Sequence, residues 1–333
     1  MRITRETLLK LARDAVSERT RQSHDILAAY LCGSLLGEDF LLGDTADIDL
    51  VLVHTDQPAV EREIHQLSEA IHLDIAHHLQ KDYFQARTLR GHPWLGPTIN
   101  SYLILYDPQH FLDFTQASVR GQFDRPENIL KRAQYFVEDA RHTWAACLAA
   151  KTNPGLYEVS AYLRSIGQAA NALAVLSGDP LSERRFLLVF PQRAQALGRL
   201  GLYRGLIALL GAMNLAPGAL TGWLPAWREA FLSVPLEKAP ARLHPGRLAY
   251  YQKAFESMLN SPQPQAVLWP FLRTWSLAAS LADPGSPAIE GWWQVCEHLG
   301  FMGASFEERL EALDAFLDTV EETLEQWAVS QGA

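Results

Sequence analysis

Between Ala28 and His54 the chain reads AAYLCGSLLGEDFLLGDTADIDLVLVH. Two short apolar runs, at about Ile26–Cys32 and Ile48–His54, flank a Gly33-Ser34 turn and a loop ending near Gly43-Asp44. Alternation of side chains along a strand puts Asp47 and Asp49 on one face and Ile48, Leu50 and Leu52 on the other. Two carboxylates side by side repel unless a cation lies between them, and hard oxygen donors suit Mg²⁺ or Mn²⁺ better than zinc.

A third acid follows in IHLDIAHH, where Asp74 shares a face with His72, Ala76 and His78. If this strand lies beside the one carrying Asp47 and Asp49, the three carboxylates converge and can hold two divalent ions, as in in-line phosphoryl or nucleotidyl transfer. Gly33 lets backbone N–H groups approach a polyphosphate, and the Ser34 hydroxyl can donate to it. His65, His72, His77 and His78 have no cysteine among them and form no His-x-x-x-His pair, so they read as solvated or supporting histidines rather than zinc ligands.

In these residues the chain resembles the DNA polymerase β-like nucleotidyltransferase superfamily. Gly33, Ser34, Asp47, Asp49 and Asp74 match, position by position, its strand ending in Gly-Ser, its Asp-x-Asp strand and its third acid. The layout is similar to aminoglycoside nucleotidyltransferases, and the likeness covers about the first quarter of the chain. Two departures are Thr45-Ala46-Asp47, where the hydroxyl stands one residue early, and a loop from Leu35 to Ala46 without Lys or Arg. The resemblance implies a metal-dependent enzyme that moves a nucleoside monophosphate, AMP from ATP in the first instance, onto a hydroxyl of a small-molecule acceptor. Asp47, Asp49 and Asp74 would be its catalytic and metal-binding residues, and Gly33 and Ser34 would bind the nucleotide. Two readings stand beside it: an antitoxin-like or protein-modifying nucleotidyltransferase acting on a protein partner, and a transferase acting on nucleic-acid ends.

The expected fold is α+β, with a small mixed-sheet nucleotidyltransferase domain over residues 1–124 and an all-α domain for substrate binding or interaction over 125–333. Thr4 caps a helix over residues 3–24, and Ser101–Tyr106 reads as a further strand. The Val60, Ile64, Leu67 and Ala70 stripe predicts a helix from Pro58 to about Ile71, and Lys81–Leu89 reads as another. Beyond Asp124 helical stripes recur between Pro and Gly breaks, ending in a helix over Ser305–Val329 opened by a Ser305/Glu308 capping box. Lys131, Arg132, Glu138, Arg141, Arg164 and Arg193 are candidate triphosphate or acceptor contacts, each reading first as an ordinary surface charge. Eight of nine tryptophans follow Asp124, and core packing is the first use expected of them.

With 48% hydrophobic and 20% charged residues the 333-residue chain has the composition of a globular protein. A net charge of −9 without a Lys/Arg stripe argues against nucleic acid as partner. No apolar run reaches the length of a membrane span. Three scattered cysteines and a charged, amphipathic N-terminus without a signal-peptide core give a cytoplasmic protein as the expectation.

Overall fold

A computed structural model describes residues 3–150, 153–216, 218–283 and 285–333. The protein is α+β, with a five-stranded mixed sheet in its N-terminal part and helices toward the C-terminus. Two compact units divide the chain: Met1–Asn128 together with Gly246–Ser257, and Ile129–Pro245 together with Met258–Ala333.

The first unit runs α1 (Arg5–Gln22), β1 (Ile26–Cys32), β2 (Ala46–His54), β3 (Arg62–Gln66), β4 (Ile71–Leu79), α2 (Ala86–Gly91), α3 (Leu95–Ser101), β5 (Leu103–Tyr106) and α4 (Phe111–Arg120). The strand order is β3-β4-β2-β1-β5; β2 and β4 pair in parallel and the other neighbours are antiparallel. The Thr4 hydroxyl accepts from the Thr7 N–H to cap α1, and Leu8, Ala12 and Val16 bury their stripe against Ile48, Leu50 and Leu52 of β2. The opposite face of the sheet packs Tyr30, Val51 and Val53 with Leu89, Ile99, Leu112 and Val119 from α2, α3 and α4. Both faces are covered, which explains why β1 and β2 are apolar runs interrupted only by Asp47, Asp49 and the terminal His54.

The segment expected as a helix from Pro58 contains β3 instead. Its helical stripe is not used for burial: Val60 and Leu67 are exposed. The open edge of β4 supplies a hydrogen-bonding partner that a helix would leave unpaired. Strand alternation then sends Arg62 and Ile64 to one face, and Glu63 and His65 to the other. On that second face Arg19 of α1 makes a two-pronged contact to Glu63 at 2.8 Å for each prong, and His77 meets the same carboxylate at 2.9 Å. The expected helix over Lys81–Leu89 is likewise split. Gln85 has φ of 69°, which separates a 3-10 turn at Gln80–Tyr83 from α2.

The helical part continues with α5 (Pro126–Cys147), α6 (Leu156–Ala174), α7 (Phe186–Ala196), α8 (Gly201–Leu209), α9 (Ala219–Ser233), α10 (Leu248–Leu259), α11 (Leu268–Leu281), α12 (Pro287–His298) and α13 (Gly303–Gln331). Most of α10 belongs to the first unit. Tryptophans build the core of the second unit: buried Trp227, Trp275 and Trp292 donate their indole N–H groups to Thr274 Oγ1, Ala288 O and Ser276 Oγ. α13 begins at Gly303 with Met302 at its cap position, so the expected Ser305/Glu308 box is not formed. Leu310, Leu313, Leu317, Val320 and Leu324 are its buried seam. Three of the helical charges considered as substrate contacts are engaged within this unit: Arg141 with Asp314, Asp318 and Glu321, Arg164 with Asp139, and Arg193 with Ser177 O. Among the described residues no helix is long and apolar enough to cross a membrane.

Candidate metal centre

The parallel pairing of β2 with β4 sets Asp49 directly opposite Asp74 and Asp47 opposite His72. All these side chains project from one face of the sheet, near the end where β1 leaves it at Cys32, itself paired with Asp49. One carboxylate oxygen from each of Asp47, Asp49 and Asp74 lies within 4.8 Å of the others. Asp47 and Asp74 are buried, and Asp49 is partly exposed. The structure therefore brings together the three acids singled out from the sequence.

Gly33 follows β1 with φ 77° and ψ −159°, a conformation reserved for glycine, and opens a 3-10 turn from Ser34 to Leu36. The turn is held from below by Arg5 of α1, which donates to Leu35 O at 3.1 Å and Leu36 O at 2.9 Å. Gly33 is exposed and Ser34 partly so, and the bend touches the acids. A Cβ added at Gly33 would stand 2.0 Å from Asp49 Oδ2. Gly33→Ala is accordingly expected to destabilise the fold by about 2 kcal/mol through backbone strain alone and to push the Asp49 carboxylate out of place. Thermal melting and metal binding compared with the wild type check both effects; an unchanged metal affinity would separate the bend from the site. Thr45, the displaced hydroxyl of the sequence pattern, donates to Leu42 O at 2.8 Å within its own loop.

Two arginines complete the cluster. Arg62 of β3 grips Asp74 with Nε at 2.6 Å and Nη2 at 2.7 Å. Arg247, from the Gly246–Ser257 segment, donates through Nη2 to Asp47 Oδ2 at 3.0 Å and also to Asp74 Oδ2. The same segment is docked by His72, whose Nε2–H donates to Gly246 O, and by Tyr250, whose ring meets His72 edge-on at 5.7 Å and underlies the Arg247 guanidinium at 5.5 Å. Burial works against the charge of Arg247, but Asp47 and Asp74 outweigh it and hold the guanidinium above its ordinary pKa. The Arg62 pKa is raised first by its hydrogen bonds to Asp74. For Asp49 burial and the charges of Asp47 and Asp74 win over the arginines, and its carboxyl is pushed up to about 7.

Neither arginine was singled out from the sequence. Arg62 lies in the segment read as a helix, and Arg247 is 200 positions from Asp47. Charge balance is the signal that points to them. Three acids on the inner part of a sheet demand cationic partners, and Arg62 sits on the same strand face as Ile64, opposite Asp74.

No family model matches this chain, and no curated protein is significantly similar to it. The chemistry of the centre is therefore argued from its own atoms. Asp47 Oδ1 is buried and accepts no hydrogen bond; His72 Nδ1 lies 3.8 Å from it, beyond hydrogen-bond reach. A buried carboxylate oxygen left without a donor is costly, and a cation would satisfy it. Three aspartates against two guanidiniums leave one formal negative charge. An all-carboxylate donor set with that residual charge fits a hard divalent ion held by Asp47 and Asp49. Asp74 differs from its two companions, since both its oxygens are already taken by arginine.

Proposed function

We propose that the protein is a metal-dependent nucleotidyltransferase of the DNA polymerase β-like superfamily, moving a nucleoside monophosphate, AMP from ATP in the first instance, onto a hydroxyl of a small-molecule acceptor. The observation that carries this reading is the convergence of Asp47, Asp49 and Asp74 beside the exposed Gly33-Ser34 bend. Asp47 and Asp49 would hold a divalent ion, Mg²⁺ or Mn²⁺. Such an ion polarises phosphoryl oxygens and offsets the charge that develops as the α-phosphorus is displaced. A second ion would take most of its ligands from the phosphates, because the chain has only one uncompensated negative charge to offer here.

Gly33, which has no side chain of its own, presents backbone to the β- and γ-phosphates beside Asp49, and the Ser34 hydroxyl donates to them. Asp74 holds Arg62 and Arg247 beside the metal carboxylates. The acceptor hydroxyl releases its proton to solvent as its oxygen forms the bond to the α-phosphorus, the bond to the bridging oxygen breaks, and pyrophosphate leaves. Held in line, the two reactants gain several kcal/mol over a chance encounter, about 7–11 kcal/mol at best alignment.

The test is label transfer from α-labelled nucleoside triphosphates with Mg²⁺ or Mn²⁺ to a panel of aminoglycoside, lincosamide, nucleotide, protein and RNA-end acceptors. Label on a small molecule with release of pyrophosphate is the expected result. Label on a protein would move the reading to a protein-modifying enzyme. No transfer to any acceptor, with Asp47→Asn indistinguishable from the wild type, would overturn it.

A further inference from the structure

The centre has a second atom without a partner. Arg247 Nε is buried and makes no hydrogen bond, although the same guanidinium spends Nη2 on two carboxylates. Its side chain is 8% exposed. Leaving a buried donor unpaired costs on the order of 1–3 kcal/mol, more beside a charge, so a native site with such an atom is organised for something else to meet it.

Asp47 Oδ1 calls for a cation and Arg247 Nε for an anion, and both belong to side chains already bonded to each other. A metal ion alone answers the oxygen but brings positive charge against two guanidiniums. A free phosphate answers the nitrogen but approaches three carboxylates. A metal-bound polyphosphate supplies both signs at once. We propose that Arg247 is a phosphate-binding residue, whose Nε–H takes an oxygen of the metal-bound nucleotide while Nη2 gives up one of its aspartates to the metal; this rests on the nucleotidyltransferase reading above. Metal and nucleotide are then bound interdependently, each improving the affinity of the other by the same factor. A guanidinium is suited to this because it can serve a carboxylate and a phosphate along two different edges, which a lysine ammonium cannot do in a fixed geometry.

The test measures Mn²⁺ binding to the full chain by electron paramagnetic resonance, with and without a non-hydrolysable ATP analogue, for the wild type, R247Q, R247K and D49N. Circular dichroism confirms that each is folded. In the wild type the analogue is expected to tighten Mn²⁺ at least about tenfold. In R247Q, Mn²⁺ alone binds as tightly as in the wild type or more so, because a competing cation is gone, and the tightening by nucleotide is lost. R247K keeps the charge and loses the fork, and its tightening falls at least about fivefold; this variant carries the comparison if R247Q does not fold. D49N binds neither. Wild-type tightening in the folded arginine variants overturns the role of Arg247 and leaves the enzyme reading standing. A wild type that binds no Mn²⁺, with or without the analogue, overturns both.

Discussion

Asp49→Asn is expected to abolish turnover, by on the order of 10³-fold or more, and at the same time to raise the melting temperature of the metal-free protein by about 3–6 °C. The two effects have one cause. Asp49 is pushed up to about 7 by burial and by Asp47 and Asp74, from an ordinary value of 3.8. Between those values the folded chain keeps a proton that the unfolded chain releases, so the metal-free wild type gains stability as pH falls from about 7 toward 4. Above pH 7 the folded state carries the full repulsion, and asparagine removes it. The advantage of the variant should thus be largest at pH 8 and vanish below about pH 4. Saturating Mg²⁺ or Mn²⁺ should stabilise the wild type and leave the variant unmoved, reversing their order. Melting curves in chelator and in metal, at several pH values, check this. A variant that melts lower than the wild type at pH 8 in chelator would show that the carboxylates are not in mutual repulsion.

The parts of this centre visible in the sequence were those in which local pattern and tertiary use coincide. β1 and β2 are buried apolar runs, and their burial fixes register so tightly that the acids could only face one way. Asp74 met Asp49 across a parallel pair because Leu73 and Ile75 anchor the opposite face of β4. β3 carries no strand signature in the sequence, for a physical reason. Ile64 falls at helical spacing with Val60, Leu67 and Ala70 on either side of the strand, but the backbone of β3 is claimed by the open edge of β4 and its side chains by ion pairs on both faces. An edge strand whose partners are charges has no hydrophobic signature to read. Arg247 is the extreme case, since a residue returned to the site from some two hundred positions away leaves no periodicity at all. The capping box at Ser305 failed because the helix already starts two residues earlier, at Gly303.

Asp74→Asn should act on stability with the opposite sign to Asp49→Asn, lowering it by about 3–5 kcal/mol. Asp74 is 2% exposed and receives Arg62 through both oxygens and Arg247 through one. An amide has one acceptor oxygen, and its NH₂ would point donors at a guanidinium, so buried Arg247 and half-exposed Arg62 would each lose a counter-charge. The damage should begin at β3. That strand carries Arg62, Glu63, His65 and Gln66 around a single apolar residue, Ile64, and its ends are exposed. Ion pairs seat it on both faces, Arg62 to Asp74 above and Glu63 to Arg19 below. With the upper pair broken, amides of the Arg62–Gln66 strand should exchange with solvent faster than those of β1 and β2, as a local opening ahead of global unfolding. Hydrogen exchange read strand by strand, alongside denaturant melts, measures both quantities. Removing Arg247 in the same chain should recover part of the loss, because the buried cation left short of a partner is what makes the single change expensive. A variant with wild-type stability and wild-type exchange in β3 would mean that Asp74 is not the anchor of these arginines. The difference in kind between it and its two neighbours would then fall away.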